Sequence, residues 1–405
     1  MLLAYLYRQM KYIYFTVLMC LLATRTYSQK TTTVPANSYA HVDKIALQLS
    51  RASVKSTQDV ADYINTHFST PADKVRAVFI WTASNIQYDI VNMYSFNFYE
   101  TKQQKIDNAL KSGQGVCINY AAIFNDVSNK CGIKTYTIEG YTKTTAVADY
   151  VSHAWCAALI DTGWYLFDPT WGAGYVNNNK FVKKINNAYY MVAPAISIKS
   201  HMPFDPMWEC LHYQVSNNEF CTGRIQPDAS KSFFNYKDSI AVYERQSERD
   251  KLAATARRCE GNGVQNSLIF SWLESLKHNI AVTDNNEMVE GYNTGVANYN
   301  DATNLFNVFV NYYNNQFKPA KSDPEIRKMI DTVQTKIDMT TRNFEGVHNP
   351  SGSTLALMQS MQKNVSNLQQ HLDDQKKFLD EYLQKGNLGR KLMFHKYTWM
   401  GMPLN

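Results

Sequence analysis

Beyond residue 28 the 405-residue chain has no run of about 18 consecutive apolar side chains, the length that a membrane-spanning helix requires. The mature protein is therefore expected to be soluble, with no integral membrane segment. A strong excess of one charge is also missing. The 41 basic and 35 acidic residues leave +6, and three of the positives (Arg8, Lys11 and Arg25) lie in an N-terminal segment expected to be removed. The remainder of about +3 is too small to argue for a nucleic-acid partner. Basic pairs such as Lys183-Lys184 and Arg257-Arg258 read as solvated faces. Neither C-x-x-C nor H-E-x-x-H occurs, so a metal site has no support and no cofactor is expected. No repeat recurs at a solenoid period.

What is present begins with a signal. Arg8 and Lys11 precede the apolar run 12–23, too short to span a bilayer comfortably, and cleavage after Ser28 would release the chain outside the cytoplasm. The protein is expected to be exported: periplasmic, on the cell surface or secreted. Its length suggests two domains, and 45% hydrophobic residues with 13% aromatics exclude a disordered chain. Six cysteines follow the signal: Cys117, Cys131, Cys156, Cys210, Cys221 and Cys259. Some could pair in an exported protein. Cys131 and Cys156, set in apolar patterns, read as inert core residues.

Residues 39–66 carry a helical pattern, and a second helix begins at Thr70-Pro71 with Val75, Val78, Phe79, Thr82 and Ile86 on one face. Ser112-Gly-Gln-Gly115 reads as a flexible turn, followed by a helix from Cys117 to Lys130 that Gly132 stops. Strands are expected at 134–141, 153–160 and 164–168, the last two joined by a tight hairpin at Asp161-Thr162-Gly163. From about 230 the character becomes helical, with heptad-like runs at 292–313, after Asp323-Pro324, and at 358–382. An antiparallel helical bundle is the plain reading, and oligomeric state stays open. The expected domains are 1–28 (signal), 29–229 and 230–405.

The chemistry centres on Cys117. A thiol becomes a good nucleophile when it is ionised, and both a helix N-terminus and a neighbouring imidazole favour ionisation. Cys117 starts a helix after a glycine turn, where its backbone N–H could also meet an oxyanion. His153 opens a strand facing such a helix, and Asp168, near the end of the next strand, could orient its ring. Register decides this. With Asp161-Thr162 as a two-residue turn, Ile160 pairs Gly163, and His153 and Asp168 become diagonal neighbours on one face. With a three-residue loop, Asp168 turns away unless a bulge restores it. Each residue alone has a duller reading: small buried cysteine, structural histidine, turn-forming aspartate.

Three blocks then resemble the transglutaminase-like superfamily: Gly115-Val-Cys117-Ile-Asn-Tyr120-Ala, His153-Ala-Trp155, and Trp164-Tyr-Leu-Phe-Asp168-Pro-Thr-Trp171-Gly. The resemblance runs from about Asp73 to Gly172. It implies an α+β fold with a papain-like core, a helix carrying the cysteine packed on an antiparallel sheet, here followed by the C-terminal helical bundle. It also implies Cys117 as nucleophile, His153 as general base and acid, and Asp168 as orienting carboxylate. Trp155 and Trp171 are expected to shield the substrate-binding site from water, and Gly115 to let a substrate backbone approach. Tyr189–Met191 and Ile198–Trp208 are similar to the kyphoscoliosis-peptidase and cytokinesis-protein branch, in which His201 reads as packing or loop-fixing rather than catalytic. Family members often carry Asp-Gly at the hairpin turn, where this chain has Asp161-Thr162-Gly163, although the His-to-Asp spacing is kept.

The implied activity is cysteine-dependent hydrolysis or acyl transfer on amide bonds of a peptide or protein, through a thioester, with hydrolysis favoured. The rival reading, which the heptads keep open, is a non-catalytic scaffold that holds a peptide in the same groove.

Overall fold

Capping divides the N-terminal helical pattern in two. The computed structural model describes residues 39–94, 100–144, 149, 151–347, 350, 352–394, 398–399 and 402–403, so the expected signal at 1–28 lies outside the described residues. Helix α1 (Ala40–Ala46) ends before Ser50, whose side chain caps a 3₁₀ turn. Helix α2 (Thr57–His67) starts afresh behind a capping box of Ser56 and Asp59. Helix α3 (Pro71–Asn85) begins as the sequence predicts, with Thr70 accepting from the Asp73 N–H and proline in the first turn. Every side chain from Val75 to Ala83 is buried, so α3 is a core helix and not a one-faced one.

That burial includes Arg76. Its guanidinium makes a fork to both Asp43 oxygens at 2.6 and 2.7 Å and a third bond to Asn187 at 2.8 Å. The rings of Tyr39 and Tyr190 flank it at 4.9 and 4.8 Å. Fixed ion-pair geometry with aromatic faces compensates the desolvation of a buried cation.

The chain divides into two units, Met1–Pro203 with Trp208–Leu211, and Phe204–Met207 with His212–Asn405. In the first, α3 is followed by β1 (Gln87–Tyr88), helix α4 (Lys102–Ser112), β2 (Gln114–Gly115) and helix α5 (Cys117–Lys130). The expected flexible turn before Cys117 is thus a paired segment. Strand β2 runs parallel to β1, with Gln87↔Gln114 and Tyr88↔Gly115. Strands β3 (Thr135–Thr142), β4 (Ser152–Ile160) and β5 (Gly163–Phe167) then form consecutive antiparallel neighbours. The short helix α6 (Pro169–Ala173) and the hairpin β6 (Gly174–Asn177) and β7 (Lys180–Lys183) follow. Strand β8 (His201–Pro203) returns to the free side of β3, giving the order β5-β4-β3-β8. Helix α5 lies between this sheet and α3, and Tyr120, Ile123, Phe124 and Val127 are buried at its contacts. The architecture is α+β, with a cysteine-bearing helix on an antiparallel sheet.

The second unit is helical, with four principal helices over Glu248–Gly261, Ser267–Asn314, Asp323–Glu345 and Gly352–Leu383. The helix over Ser267–Asn314 starts well before the first heptad position read from the sequence. Its early stripe of Ile269, Leu273 and Leu276 is buried but short, and a polar, mostly exposed middle separates it from the later apolar run. The apolar positions expected after Asp323 form the core: Ile326, Ile330, Val333 and Ile337 pack with Leu368, Leu372 and Leu379. The switch between units falls at 204–212, upstream of the expected 230. Residues just past it are already tied in, since Asn217 donates to the Gly263 carbonyl at 2.7 Å. Among the described residues no helix is long and apolar enough to cross a membrane.

Candidate active site

Helix α5 begins at Cys117, and its entry is rigid. The Asn119 side chain accepts from the Val116 N–H at 2.9 Å and donates to the Lys105 carbonyl at 3.0 Å. From the other side, the Gln87 and Asp89 N–H groups donate to the Gly113 and Gly115 carbonyls at 2.8 and 3.0 Å. A Cβ at Gly115 would stand 2.7 Å from Cβ of Asn119. Gly115 is buried, so close packing of the capping side chain supplies its reason. Cys117 and Ile118 occupy the first two positions of the helix, where backbone N–H groups have no intrahelical acceptor. A thiol and unpaired donors thus share one helix N-terminus.

Opposite stands His153. The hairpin takes the two-residue register: Ile160 pairs Gly163, and the ladder runs on to Cys156↔Phe167. That parity puts Asp168 on the His153 side, and His153 Nε2 lies 2.8 Å from Asp168 Oδ2. The other ring nitrogen is left for the thiol, and a hydrogen bond from the Cys117 side is among the influences on the imidazole. Burial works against a charge on His153. The Asp168 carboxylate and its hydrogen bond, followed by the Cys117 contact, nevertheless push its pKa up to about 10.

Asp168 is 3% exposed and fully engaged. Oδ1 accepts from the Thr170 and Trp171 N–H groups at 2.8 and 3.1 Å, capping α6. Oδ2 accepts from His153 and, at 3.2 Å, from His201. Burial alone would raise its pKa, but His153 and then His201 hold it well below the usual carboxylate range.

His201, which the sequence reads as packing or loop-fixing, joins this group. It sits on β8, and the register Gly140↔His153 and Gly140↔Pro203 places it on the same sheet face as His153. A Cβ at Gly140, between the two strands, would stand 2.2 Å from the Met202 carbonyl oxygen and 2.5 Å from the ring of Trp155. The signal available in the sequence was only a histidine 33 residues beyond Asp168, and the pairing of β8 with β3 is a long-range event. His153, Asp168 and His201 bring one ligand-type atom each within 4.8 Å. Both imidazoles point at the same carboxylate oxygen at hydrogen-bonding distance, so the cluster satisfies itself without an ion.

The two tryptophans differ. Trp155 is 1% exposed and lies beneath the histidines, with its ring 5.1 Å from that of His201. Trp171 is half-buried and packs 5.3 Å from His153 and 4.7 Å from His201, so it covers the site. Behind Asp168 a cavity of about 140 Å³ is lined by Trp155, Tyr189, Ser200 and His201, among others.

Cys117, Cys131, Cys156, Cys210 and Cys259 are free thiols. Burial pushes Cys131 and Cys259 up to about 11, Cys210 to about 12, and Cys156 far above the ordinary thiol range. Those four are poor nucleophiles by environment.

Residues 58–169 match the model of the transglutaminase-like superfamily. Similar curated proteins include kyphoscoliosis peptidase of Homo sapiens, 29% identical over 188 residues, covering 44% of this chain and 28% of that protein. Cytokinesis protein 3 of Saccharomyces cerevisiae is 22% identical over 148 residues, covering 34% of this chain and 16% of that one. The chain therefore spans under a third of the length of these relatives. Among solved structures, a TGase is 18% identical over 42% of this chain and 41% of its own, with a TM-score of 0.23. The periplasmic domain of TgpA from Pseudomonas aeruginosa is 21% identical over 32% and 49%, with a TM-score of 0.24.

Proposed function

We propose, from the transglutaminase-like domain that residues 58–169 form, that this protein is a cysteine-dependent enzyme acting on amide bonds of peptides or proteins. The observation that carries the reading is the buried His153–Asp168 bond of 2.8 Å beside a cysteine at a helix N-terminus. In this reading the Cys117 sulfur attacks the carbonyl carbon, and the new oxyanion is received by the backbone N–H groups at the start of α5. His153 holds the thiol's proton and passes it to the departing amine as the C–N bond breaks, leaving a thioester. Water, deprotonated by His153, then displaces the sulfur to give hydrolysis. An incoming amine would give transamidation by the same route.

Hydrolysis is the favoured outcome, in keeping with the chain's similarity to kyphoscoliosis peptidase. Export is part of the same proposal, resting on Arg8, Lys11 and the apolar run 12–23. Trp171, whose ring lies 5.3 Å from that of His153, shields the bound substrate from water in this reading.

The test is labelling of the purified protein with iodoacetamide and with a thiol-reactive peptide probe, followed by mapping. Modification concentrated at Cys117 near pH 6, and abolished in Cys117→Ala, is the expected result. A protein that labels equally at Cys221, or only above pH 8, would sink the enzyme reading. Incorporation of a fluorescent primary amine into a casein acceptor would replace hydrolysis by cross-linking.

A further inference from the structure

We propose that His201 is a positioning residue for this site, holding Oδ2 of Asp168 in place so that the carboxylate can aim His153 at Cys117. This rests on the cysteine-enzyme reading above and adds a fourth member to it.

His201 Nε2 lies 3.2 Å from Asp168 Oδ2, the same oxygen that His153 meets at 2.8 Å. Ser200 Oγ lies 2.8 Å from His201 Nδ1. With the serine hydroxyl donating to Nδ1, the ring's own proton sits on Nε2 and points at Asp168. The chain of bonds therefore runs from Ser200 through His201 and Asp168 to His153, each partner fixing the tautomer or rotamer of the next. His201 is 5% exposed and enclosed by Trp155, Trp171 and Tyr189 at ring distances of 5.1, 4.7 and 6.2 Å. Besides Asp168 and His153, the titratable groups facing it are Tyr189 and Asp149. Burial holds the imidazole below its ordinary pKa despite the bond to Asp168, so it is a neutral donor at physiological pH.

An orienting carboxylate must stay still while its histidine moves between sulfur and leaving group. Two backbone donors fix Oδ1. Without His201, Oδ2 would have only the moving partner. A ring that served packing alone would be replaceable by phenylalanine between the same tryptophans, and this separates the two roles.

The experiment measures the rate of iodoacetamide labelling at Cys117 in the full-length protein at about pH 6 and about pH 9.5, where an ordinary thiol ionises unaided. His201→Phe keeps the ring and deletes the donor. It is expected to lose about tenfold or more at the lower pH and to stay within about threefold of wild type at the higher one. His201→Gln, which can present an amide N–H from a similar position, is expected to restore labelling at the lower pH to within about threefold. A Phe variant that labels like wild type at the lower pH overturns the proposal. If that variant fails to fold, Ser200→Ala carries the test, with a loss of about threefold expected and unchanged labelling overturning it. A wild type that itself fails to label at the lower pH overturns the cysteine-enzyme reading, and this one with it. A responsive wild type with an indifferent His201→Phe overturns this one alone.

Discussion

Asp168 divides its work between its two oxygens, with Oδ1 closing the turn into α6 and Oδ2 facing two imidazoles. Asp168→Asn separates these tasks. Its carbonyl oxygen can still take the two backbone N–H groups, while its amide nitrogen would face two N–H donors. The variant is expected to fold and to lose about a hundredfold or more of Cys117 labelling near pH 6, as followed by mass spectrometry. Titration gives a second expectation at this scale. Asp168 and His201 are held below their ordinary values of 3.8 and 6.5, so the folded state binds fewer protons there, and stability is lost as pH falls below each. His153 has the opposite sign: its contribution is complete below 6.5 and is lost as pH rises toward about 10. Urea unfolding of the first unit should therefore be most resistant near pH 6.5. His201→Gln should remove the loss between 6.5 and 3.8, and an unchanged acid limb would count against a neutral buried His201.

At the scale of elements, the hairpin between β4 and β5 sets which face Asp168 occupies. Asp161 adopts φ 53° at the turn, which lets Ile160 pair Gly163 across two residues. Inserting one glycine between Thr162 and Gly163 should shift the parity of β5 and carry Asp168 away from His153. Labelling of Cys117 near pH 6 should collapse while helical circular dichroism is kept. Retained labelling would mean that a bulge absorbs the insertion. The approach to Cys117 shows a different device. The sequence reads 112–115 as a loose turn, yet β1 and the Asn119 side chain pin it on two sides. A nucleophile at a helix N-terminus needs a fixed entry, because the helix field falls off within a turn.

The whole chain contains two units, and the switch at 204–212 interleaves them in sequence. Within the second unit, the buried Asp205 accepts a fork from Arg258 at 2.7 and 2.6 Å and a bond from Thr255 at 3.1 Å. Arg258→Ala leaves a buried carboxylate without its cation and should destabilise this unit by about 3 kcal/mol. Differential scanning calorimetry checks this, with Cys117 labelling as the control expected to stay unchanged. A shift below about 1 kcal/mol would mean that water or Thr255 replaces the guanidinium.

Much of this molecule is local information and was legible in its residues. Thr70-Pro71 announces α3, Gly115-Val-Cys117 announces the entry to α5, and the spacing of His153 and Asp168 around Asp161-Thr162 announces a hairpin that can join them. Heptad positions such as Ile330, Val333 and Leu372 mark the second unit's core, because periodicity follows directly from which side chains must leave water. Tertiary structure decided what depends on distant pairing. Only the ladder of β8 on β3 brings His201 to Asp168. Burial on all sides makes α3 a core helix and sends Trp155 inward, which no single-face pattern reveals. The hairpin register lay between these cases. The sequence confined it to two choices of opposite parity, and packing of Phe167 against Phe124 on one face leaves Asp168 facing the histidines on the other.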